Sequence, residues 1–249
     1  MHLVVIAVVL FFVLVVCLEF GYRLGAERVK TMPNAHEGFG TIEAAVFGLF
    51  GLLLSLSFFG AASRLDARRQ LIVQEANAIA TAYMRMDLLP SAEQPEVRRL
   101  FRDYLDERIR ISETSDEAAA LAEMRHSVKL QQAIWSAAVL ATKEGVPGAP
   151  LFAAAINQMA EIARAKAIAV QTHLPELVFG FLIAASLLSG MVAGFGIARG
   201  QRNWLSVLAY ALIVSLTIYV MLDMEYPRAG FIRIGAADDA MRALRDSMR

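Results

Sequence analysis

Residues 44–63 read AAVFGLFGLLLSLSFFGAAS and contain no Asp, Glu, Lys or Arg. A helix needs about 20 apolar residues to cross a hydrocarbon core roughly 30 Å thick, and a slightly shorter run can use its flanks. Three more uncharged runs lie at residues 3–18, 177–198 and 203–222. The runs form two close pairs, so the sequence predicts four transmembrane helices with a long polar segment between the second and the third.

The composition also indicates a membrane protein. Of the 249 residues, 57% are hydrophobic, and the mean hydropathy of +0.50 is too high for a soluble domain of this length. The 24 basic and 24 acidic side chains balance, so no nucleic-acid partner is indicated. The single cysteine, Cys17, lies inside the first run, which excludes an intrachain disulfide and a cysteine-rich metal site. We expect no metal and no cofactor.

Basic residues near the span ends predict the orientation. Only Met1 and His2 precede the first run, so we interpret it as a retained span rather than a cleaved signal peptide. Four spans place both termini and the central segment on one side, with seven nearby Lys or Arg residues against five on the other. The positive-inside rule makes that side cytoplasmic. The seven are Arg64, Arg68, Arg69, Arg164, Lys166, Arg228 and Arg233, and the five are Arg23, Arg28, Lys30, Arg199 and Arg202.

The polar segment at residues 64–176 has helical periodicity throughout. Its first apolar stripe follows the second span with no Gly or Pro between them, so we expect one continuous helix that ends before Pro90. Such a helix suits an ion conduit and equally suits a mechanical stalk. The stripe consists of Leu65, Ile72, Ala76, Ile79 and Tyr83.

Three further helices are predicted in this segment. Ser91 with Gln94, and Thr114 with Glu117, match the capping-box pattern of helix N-termini. Residues 145–150 contain two Gly and two Pro residues and form a loop before the last helix. The predicted apolar faces are Val97, Phe101, Tyr104 and Leu105, then Leu121, Met124, Val128, Trp135 and Ala138, and finally Phe152, Ile156, Met159 and Ala163.

These patterns predict an all-α membrane protein in four parts. Residues 1–63 hold transmembrane helices 1 and 2, residues 64–176 form a helical cytoplasmic domain, and residues 177–222 hold transmembrane helices 3 and 4. Residues 223–249 form a cytoplasmic C-terminal tail.

Residues suited to catalysis are sparse. The four histidines are scattered without metal-ligand spacing, and no Gly-rich loop follows a strand. Acyl, hydride and phosphoryl transfer all lack a residue set, so we expect no enzyme. Gly190, Gly194 and Gly196 in the third span indicate close helix packing.

An aromatic stripe on the second span is the first candidate for function. Phe47, Phe50, Leu54 and Phe58 recur at helical spacing. Such a stripe is typical of helix packing or lipid contact, but around the axis of an oligomer it forms a hydrophobic constriction that gates by excluding water. Glu43, at the start of the span, is a candidate pore-mouth carboxylate or else lies among lipid headgroups.

Basic residues at the other end of the same span are the second candidate. Arg64, Arg68 and Arg69 form a predicted basic collar, with Asp66 among them. A ring of such arginines attracts anions to a pore mouth. The alternative is ordinary topology anchoring with an intrahelical pair between Asp66 and Arg68 or Arg69.

Several segments together resemble a known family. The sequence SFFG at residues 57–60, RLDARRQ at 64–70, EANAIATAY at 75–83 and DLLP at 87–90 resembles the bacterial bestrophin-like family of membrane proteins. The closing DMEYPRAGFI at residues 223–232 resembles that family's Pro-Arg-x-Gly signature after the last span. The matching motif residues are Asp66, Glu75, Asn77, Pro227, Arg228 and Gly230.

The resemblance has implications for function. Bestrophins, which are more remotely similar, are pentameric anion channels with four spans, cytoplasmic termini and a hydrophobic neck from the second span. The resemblance implies a chloride-conducting homo-oligomer of five subunits in contact with the lipid of a bacterial inner membrane. Phe47, Phe50, Leu54 and Phe58 then become neck candidates. Asp238 and Asp239 are too few for a calcium clamp, so calcium gating is not expected.

A second function comes from a different class. A nonconducting, membrane-anchored scaffold or sensor would use its helical cytoplasmic domain to bind a partner protein. It would expose an apolar patch of several hundred Å² on that domain.

Overall fold

The computed structural model describes residues 2–31, 39–114, 117–198, 203–226, 231–232 and 235–248, and all their regular secondary structure is helical. The helices are α1 (His2–Thr31), α2 (Phe39–Arg85), α3 (Gln94–Glu113), α4 (Glu117–Lys143), α5 (Ala149–Gln171), α6 (Glu176–Ile197), α7 (Trp204–Glu225) and α8 (Gly235–Ser247). A single 3₁₀ turn, Met86–Leu88, follows α2. Four helices are long and apolar enough to cross a membrane, as predicted.

The chain forms two compact units. Unit 1 comprises Met1–Leu65 and His173–Ile232, and unit 2 comprises Asp66–Thr172 and Arg233–Arg249. The four-part division expected from the sequence stays a prediction, as does the cytoplasmic location of its central part.

In unit 1, α1 packs against both α6 and α7. The α1–α6 contact brings backbone against backbone, because a Cβ at Gly21 would lie 2.0 Å from the Met191 carbonyl oxygen. The same holds in reverse, since a Cβ at Gly194 would lie 2.0 Å from the Leu18 oxygen. The packing role expected for Gly194 is therefore confirmed, whereas the equivalent motif at Gly21 escaped the sequence analysis.

Helix α2 is continuous over 47 residues, as the lack of Gly or Pro after Ser63 predicts. Its predicted stripe is confirmed, because Leu65, Ile72, Ala76 and Ile79 are all buried. The pattern can be read from the sequence because an amphipathic helix buries its apolar face and exposes its polar face.

The start of α3 differs from the predicted capping box. Its N-cap is Glu93, with no side-chain cap, and Pro95 occupies the first turn. Gln94 does not reach back to Ser91, because its Nε2 donates to the Leu89 carbonyl at 2.9 Å. Gln94 thus closes the preceding turn. The second predicted capping box, at Thr114, spans residues outside those described.

The buried face of α4 also differs from the prediction. Val128 and Trp135 are exposed, whereas Ser127 and Ile134 are buried. Ala138 is buried as predicted, so the covered stripe runs from Ser127 and Ile134, each one residue before the predicted position, to Ala138 and Ala141. The side chain of Leu121, also predicted for this face, lies outside those described. Ile134, Ala138 and Ala141 pack into a core shared with α3 and α5, which includes Phe101, Tyr104, Leu105, Phe152, Ile156 and Met159.

Helix α8 was not anticipated within the predicted C-terminal tail. Met241 and Met248 are buried in the core of unit 2. Arg245 holds the helix to α3 by a bidentate ion pair with Asp106, at 2.5 and 3.0 Å. Sequence reasoning missed it because 139 residues separate the two partners.

Candidate functional site

The predicted aromatic stripe lies on the covered side of α2. Phe50 is only 7% exposed, and Phe47 and Leu54 are half-buried. The Phe47 ring meets the Tyr210 ring of α7 edge-on, with centroids 6.2 Å apart. Phe58 is 37% exposed and lies at the boundary between the covered and the uncovered side of the helix. Most of this stripe is therefore covered within the chain, and its Phe47 contacts α7.

The opposite face of α2 is uncovered within the chain. Its large apolar side chains, Leu49, Leu52, Leu56 and Phe59, are between 56% and 72% exposed and follow helical spacings of three, four and three. Small residues lie between them. A Cβ added at Gly48 or Gly51 would meet no described atom within 4 Å. This face therefore has room for another helix or for water.

Ser55 also lies on the uncovered face, and its hydroxyl is satisfied locally. Its Oγ donates to the Gly51 carbonyl at 2.8 Å. A serine that bonds its own helix in this way can face an apolar surrounding without an unpaired donor.

The three arginines of the predicted basic collar have different surroundings. Arg64 pairs with Glu225 of α7 at 3.0 Å. Arg68 is buried, and its Nη2 donates to the Thr172 carbonyl at 2.8 Å at the end of α5. Only Arg69 is well exposed, and its neighbour is Asp66 at 3.5 Å. The first two guanidinium groups therefore stabilise helix ends rather than point to solvent together.

Glu225 connects three segments of unit 1. It is buried at the end of α7 and accepts hydrogen bonds from Arg64 Nε and from the Leu174 backbone N–H, at 3.0 and 2.6 Å. His173 lies 3.7 Å from the same carboxylate and stacks on the Tyr226 ring at 4.8 Å. The carboxylate thereby joins α2, the chain before α6 and α7. No local spacing could have revealed it.

Asp223 organises the chain after α7. It is buried, and its Oδ2 accepts from the backbone N–H groups of Phe231 and Ile232, both at 3.0 Å. A carboxylate that accepts two N–H bonds fixes the returning chain. Pro227, Arg228 and Gly230, predicted as motif residues, lie outside the described residues.

Glu75 occupies the centre of unit 2. It is fully buried and pairs with Arg108 of α3 at 2.6 Å and with Lys166 of α5 at 2.7 Å. Burial raises the pKa of the nearby Tyr104 far above its ordinary range, so its hydroxyl stays neutral. Asn77, by contrast, is exposed on the other side of α2. The two motif residues therefore differ in role: Glu75 stabilises the core of unit 2, whereas Asn77 lies on its surface.

Glu43 lies against α6. A Cβ at Gly196 would come within 2.5 Å of the Glu43 Oε1 atom, so the carboxylate rests on the glycine backbone. Gly196 thus accommodates a side chain rather than a helix. Within the described ranges, no group of three or more His, Cys, Asp or Glu residues could hold a metal ion.

Comparison with known families covers nearly the whole chain. The sequence model of the Bestrophin-like domain matches residues 6–238. The chain belongs to the bestrophin-like family. No curated protein and no solved structure matches it. The family resemblance proposed from the motifs is confirmed, and with its four apolar helices the bestrophin-like protein is a multi-pass membrane protein.

Sequence reasoning selected α2 of this bestrophin-like protein as the candidate helix but could not choose one of its faces. Both sides of α2 are apolar between Gly48 and Gly60, because lipid and protein interior favour the same side chains. One signal was available, since Gly48, Gly51 and Ser55 interrupt only one of the two stripes.

Proposed function

We propose that this bestrophin-like protein is a homo-oligomeric ion channel whose path is lined by α2. The supporting observation is the uncovered apolar face of that helix. In the apolar stretch of each candidate span, 11% of the residues of α2 are buried inside the chain. The corresponding shares are 22% for α1, 28% for the span Ala149–Ile197 and 39% for α7. The second span therefore gains most from contact with further copies of the chain.

The residue types on this face of α2 support contact with further copies of the helix around an axis rather than contact with lipid. Exposed positions of α1 are mostly large and apolar, whereas α2 presents Gly48, Gly51 and Ser55 between its leucines. Small residues let neighbouring helix backbones approach closely in a membrane. Leu52, Leu56 and Phe59 then project between the copies and form the hydrophobic neck, which opposes ion entry by excluding water.

The arrangement proposed is a pentamer in a bacterial inner membrane, with unit 2 and both termini in the cytoplasm. It follows from the family plan and from the excess of basic residues on that side. Chloride is the permeant ion that the family plan favours.

Reconstitution tests the channel and its neck together. Purified oligomer in planar bilayers with a potassium chloride gradient should pass current. Leu56→Ala should raise the conductance, because a smaller side chain lowers the barrier to hydration. Phe50→Ala, on the covered stripe, should lower the free energy of unfolding by about 3–5 kcal/mol without changing the conductance of each assembled channel. The reverse pattern would assign the neck to the stripe predicted from the sequence.

A scaffold function is the second candidate, favoured by one observation. Val128, Trp135 and Leu140 of α4 are all exposed in unit 2. Absence of current from verified oligomers of the wild type and of Leu56→Ala would favour this alternative. A mass measurement in detergent provides the control, because a monomer has no shared axis.

A further inference from the structure

Two hydrogen-bond donors buried in unit 2 have no acceptor. They are the hydroxyl of Tyr104 and the Nε atom of Arg108, and neither bonds to the other or to any other residue that the structure describes. Tyr104 is 1% exposed and Arg108 is 7% exposed. A buried donor without an acceptor destabilises a fold, so native proteins pair nearly all such groups. Two of them in one core therefore indicate an acceptor that comes from outside the chain.

The two donors lie close together on one side of α3. Four residues separate them, so they are one turn apart, with about 6 Å of helix rise between them. The Arg108 charge and the Tyr104 hydroxyl influence each other's pKa, which requires the two groups to be neighbours. Burial raises the pKa of Tyr104 far above its ordinary range, so its oxygen keeps the proton that it would donate. Both groups can therefore donate to one acceptor.

The charges around the two donors favour an anion as that acceptor. Glu75 Oε1 lies 2.6 Å from Arg108 Nη2, and the other oxygen of the same carboxylate lies 2.7 Å from Lys166 Nζ. Burial alone would lower the pKa of Arg108, but the Glu75 carboxylate outweighs it and raises that pKa, so the guanidinium stays charged. Because Glu75 is shared, it compensates the Arg108 charge only in part. A hydrogen bond from a charged group to an anion is stronger than one to water.

The surroundings limit the size of the anion and still allow it to enter. Phe101 and Leu105, on the same helix, are fully buried, and a core packed at this density has room for a monatomic ion rather than a polyatomic one. The Arg108 and Lys166 side chains are 7% and 13% exposed, so the edge of the cluster reaches water. An ion can therefore exchange without global unfolding.

We propose that the Tyr104 hydroxyl and the Arg108 Nε bind one chloride ion, which stabilises the core of unit 2. The site consists of residues of unit 2 alone, so the inference does not depend on the proposed channel activity. Chloride accepts both N–H and O–H donors and brings the negative charge that a water molecule lacks.

Thermal unfolding of the full-length protein in detergent tests this inference. Replacing gluconate by chloride at constant ionic strength should raise the unfolding temperature by about 2–4 °C, and the rise should saturate, because a ligand of the folded state stabilises it by mass action. Tyr104→Phe removes one donor and keeps the ring. It should increase the chloride concentration that gives half of the effect by about three- to tenfold.

Tyr83→Phe is the matched control for the loss of a hydroxyl. Tyr83 packs against the same core, but its hydroxyl already accepts a hydrogen bond from Arg98 Nη1 at 3.2 Å. The half-effect concentration of chloride should therefore stay at the wild-type value in this variant. The width of the chloride NMR signal provides a second measurement that needs no unfolding, and its excess should fall in Tyr104→Phe but not in Tyr83→Phe.

Each outcome decides the inference. A saturable chloride effect that weakens in Tyr104→Phe and persists in Tyr83→Phe supports it. Equal half-effect concentrations in wild type and Tyr104→Phe overturn it, as does a chloride effect that never saturates. Equal unfolding temperatures in chloride and gluconate also overturn it, because they mean that water serves the two donors. None of these results changes the expectation for current through the proposed channel.

Discussion

Gly194 of α6 lies so close to Leu18 of α1 that a Cβ at position 194 would be 2.0 Å from the Leu18 carbonyl oxygen. Gly21 makes the reciprocal approach to Met191, again at 2.0 Å. Without a hydrophobic driving force between helices in lipid, such packing contributes much of their association. The contact therefore makes the α1–α6 pair intolerant of any added side chain.

Gly194→Ala should destabilise the protein. The methyl group has no space, so α1 and α6 must separate, at a cost of about 1–3 kcal/mol. Thermal unfolding in detergent, followed by circular dichroism, measures the loss. Gly180→Ala in the same helix is the control, because a Cβ there meets nothing within 4 Å. Equal losses for the two variants would contradict this packing.

Glu75→Gln should cost far more than Asn77→Ala. The first substitution leaves Arg108 and Lys166 without the buried carboxylate that both contact, which typically costs about 3–5 kcal/mol. The second alters an exposed side chain and should stay within about 0.5 kcal/mol. Denaturant unfolding of unit 2 in the full-length protein distinguishes them. A small effect of Glu75→Gln would mean that the triad is not formed.

Glu225→Gln should loosen the end of α7. It weakens the bonds to Arg64 and to the Leu174 N–H at a buried site, with an expected loss of about 1–3 kcal/mol. Protease cleavage near His173 should become faster, because that segment is held by the carboxylate. Glu96→Gln alters an exposed carboxylate that pairs with Arg99 and should change neither measurement. Similar cleavage of both variants would argue against the connecting role.

The Glu107–Glu123 pair predicts a pH dependence of opposite sign for its two members. Burial alone would raise the pKa of Glu107, but hydrogen bonds from Glu123, Arg110 and His126 outweigh it and hold that pKa below the ordinary 4.5. The contribution of Glu107 to the stability of the fold is therefore present above about pH 4.5 and is lost as the pH falls through the folded-state pKa. The hydrogen bond with Glu107 raises the pKa of Glu123. The contribution of Glu123 to the stability of the fold is therefore present at low pH and is lost as the pH rises through its raised folded-state pKa.

Two variants measure these signs. Glu107→Gln should destabilise the protein at pH 7, with a difference from wild type that shrinks below about pH 4.5. Glu123→Gln should be neutral or stabilising at pH 7, since an amide replaces a carboxylate beside Glu107. Unfolding temperatures across this pH range report both. A parallel pH dependence for the two variants would refute the shared hydrogen bond.

Helical periodicity was a good guide to the buried faces of α2 and α3. Ile72 and Ile79 of α2, and Phe101 of α3, are buried as their spacing predicts. It failed on α4, where Trp135 is exposed and Ile134 is buried. Alanines occupy many positions of that helix, so its two apolar sides differ little in the sequence and packing against α3 and α5 selects one of them.

The amino-acid sequence by itself determined the four apolar helices, the unbroken course of α2 and membership of the bestrophin-like family. These features depend on local composition and spacing, which the chain carries without reference to its fold. Only the tertiary structure decided which side of α2 is covered, and that Arg64 meets Glu225 rather than a solvent-exposed pore mouth. Lipid and protein interior select the same apolar side chains, and the Arg64 pair joins residues 161 positions apart.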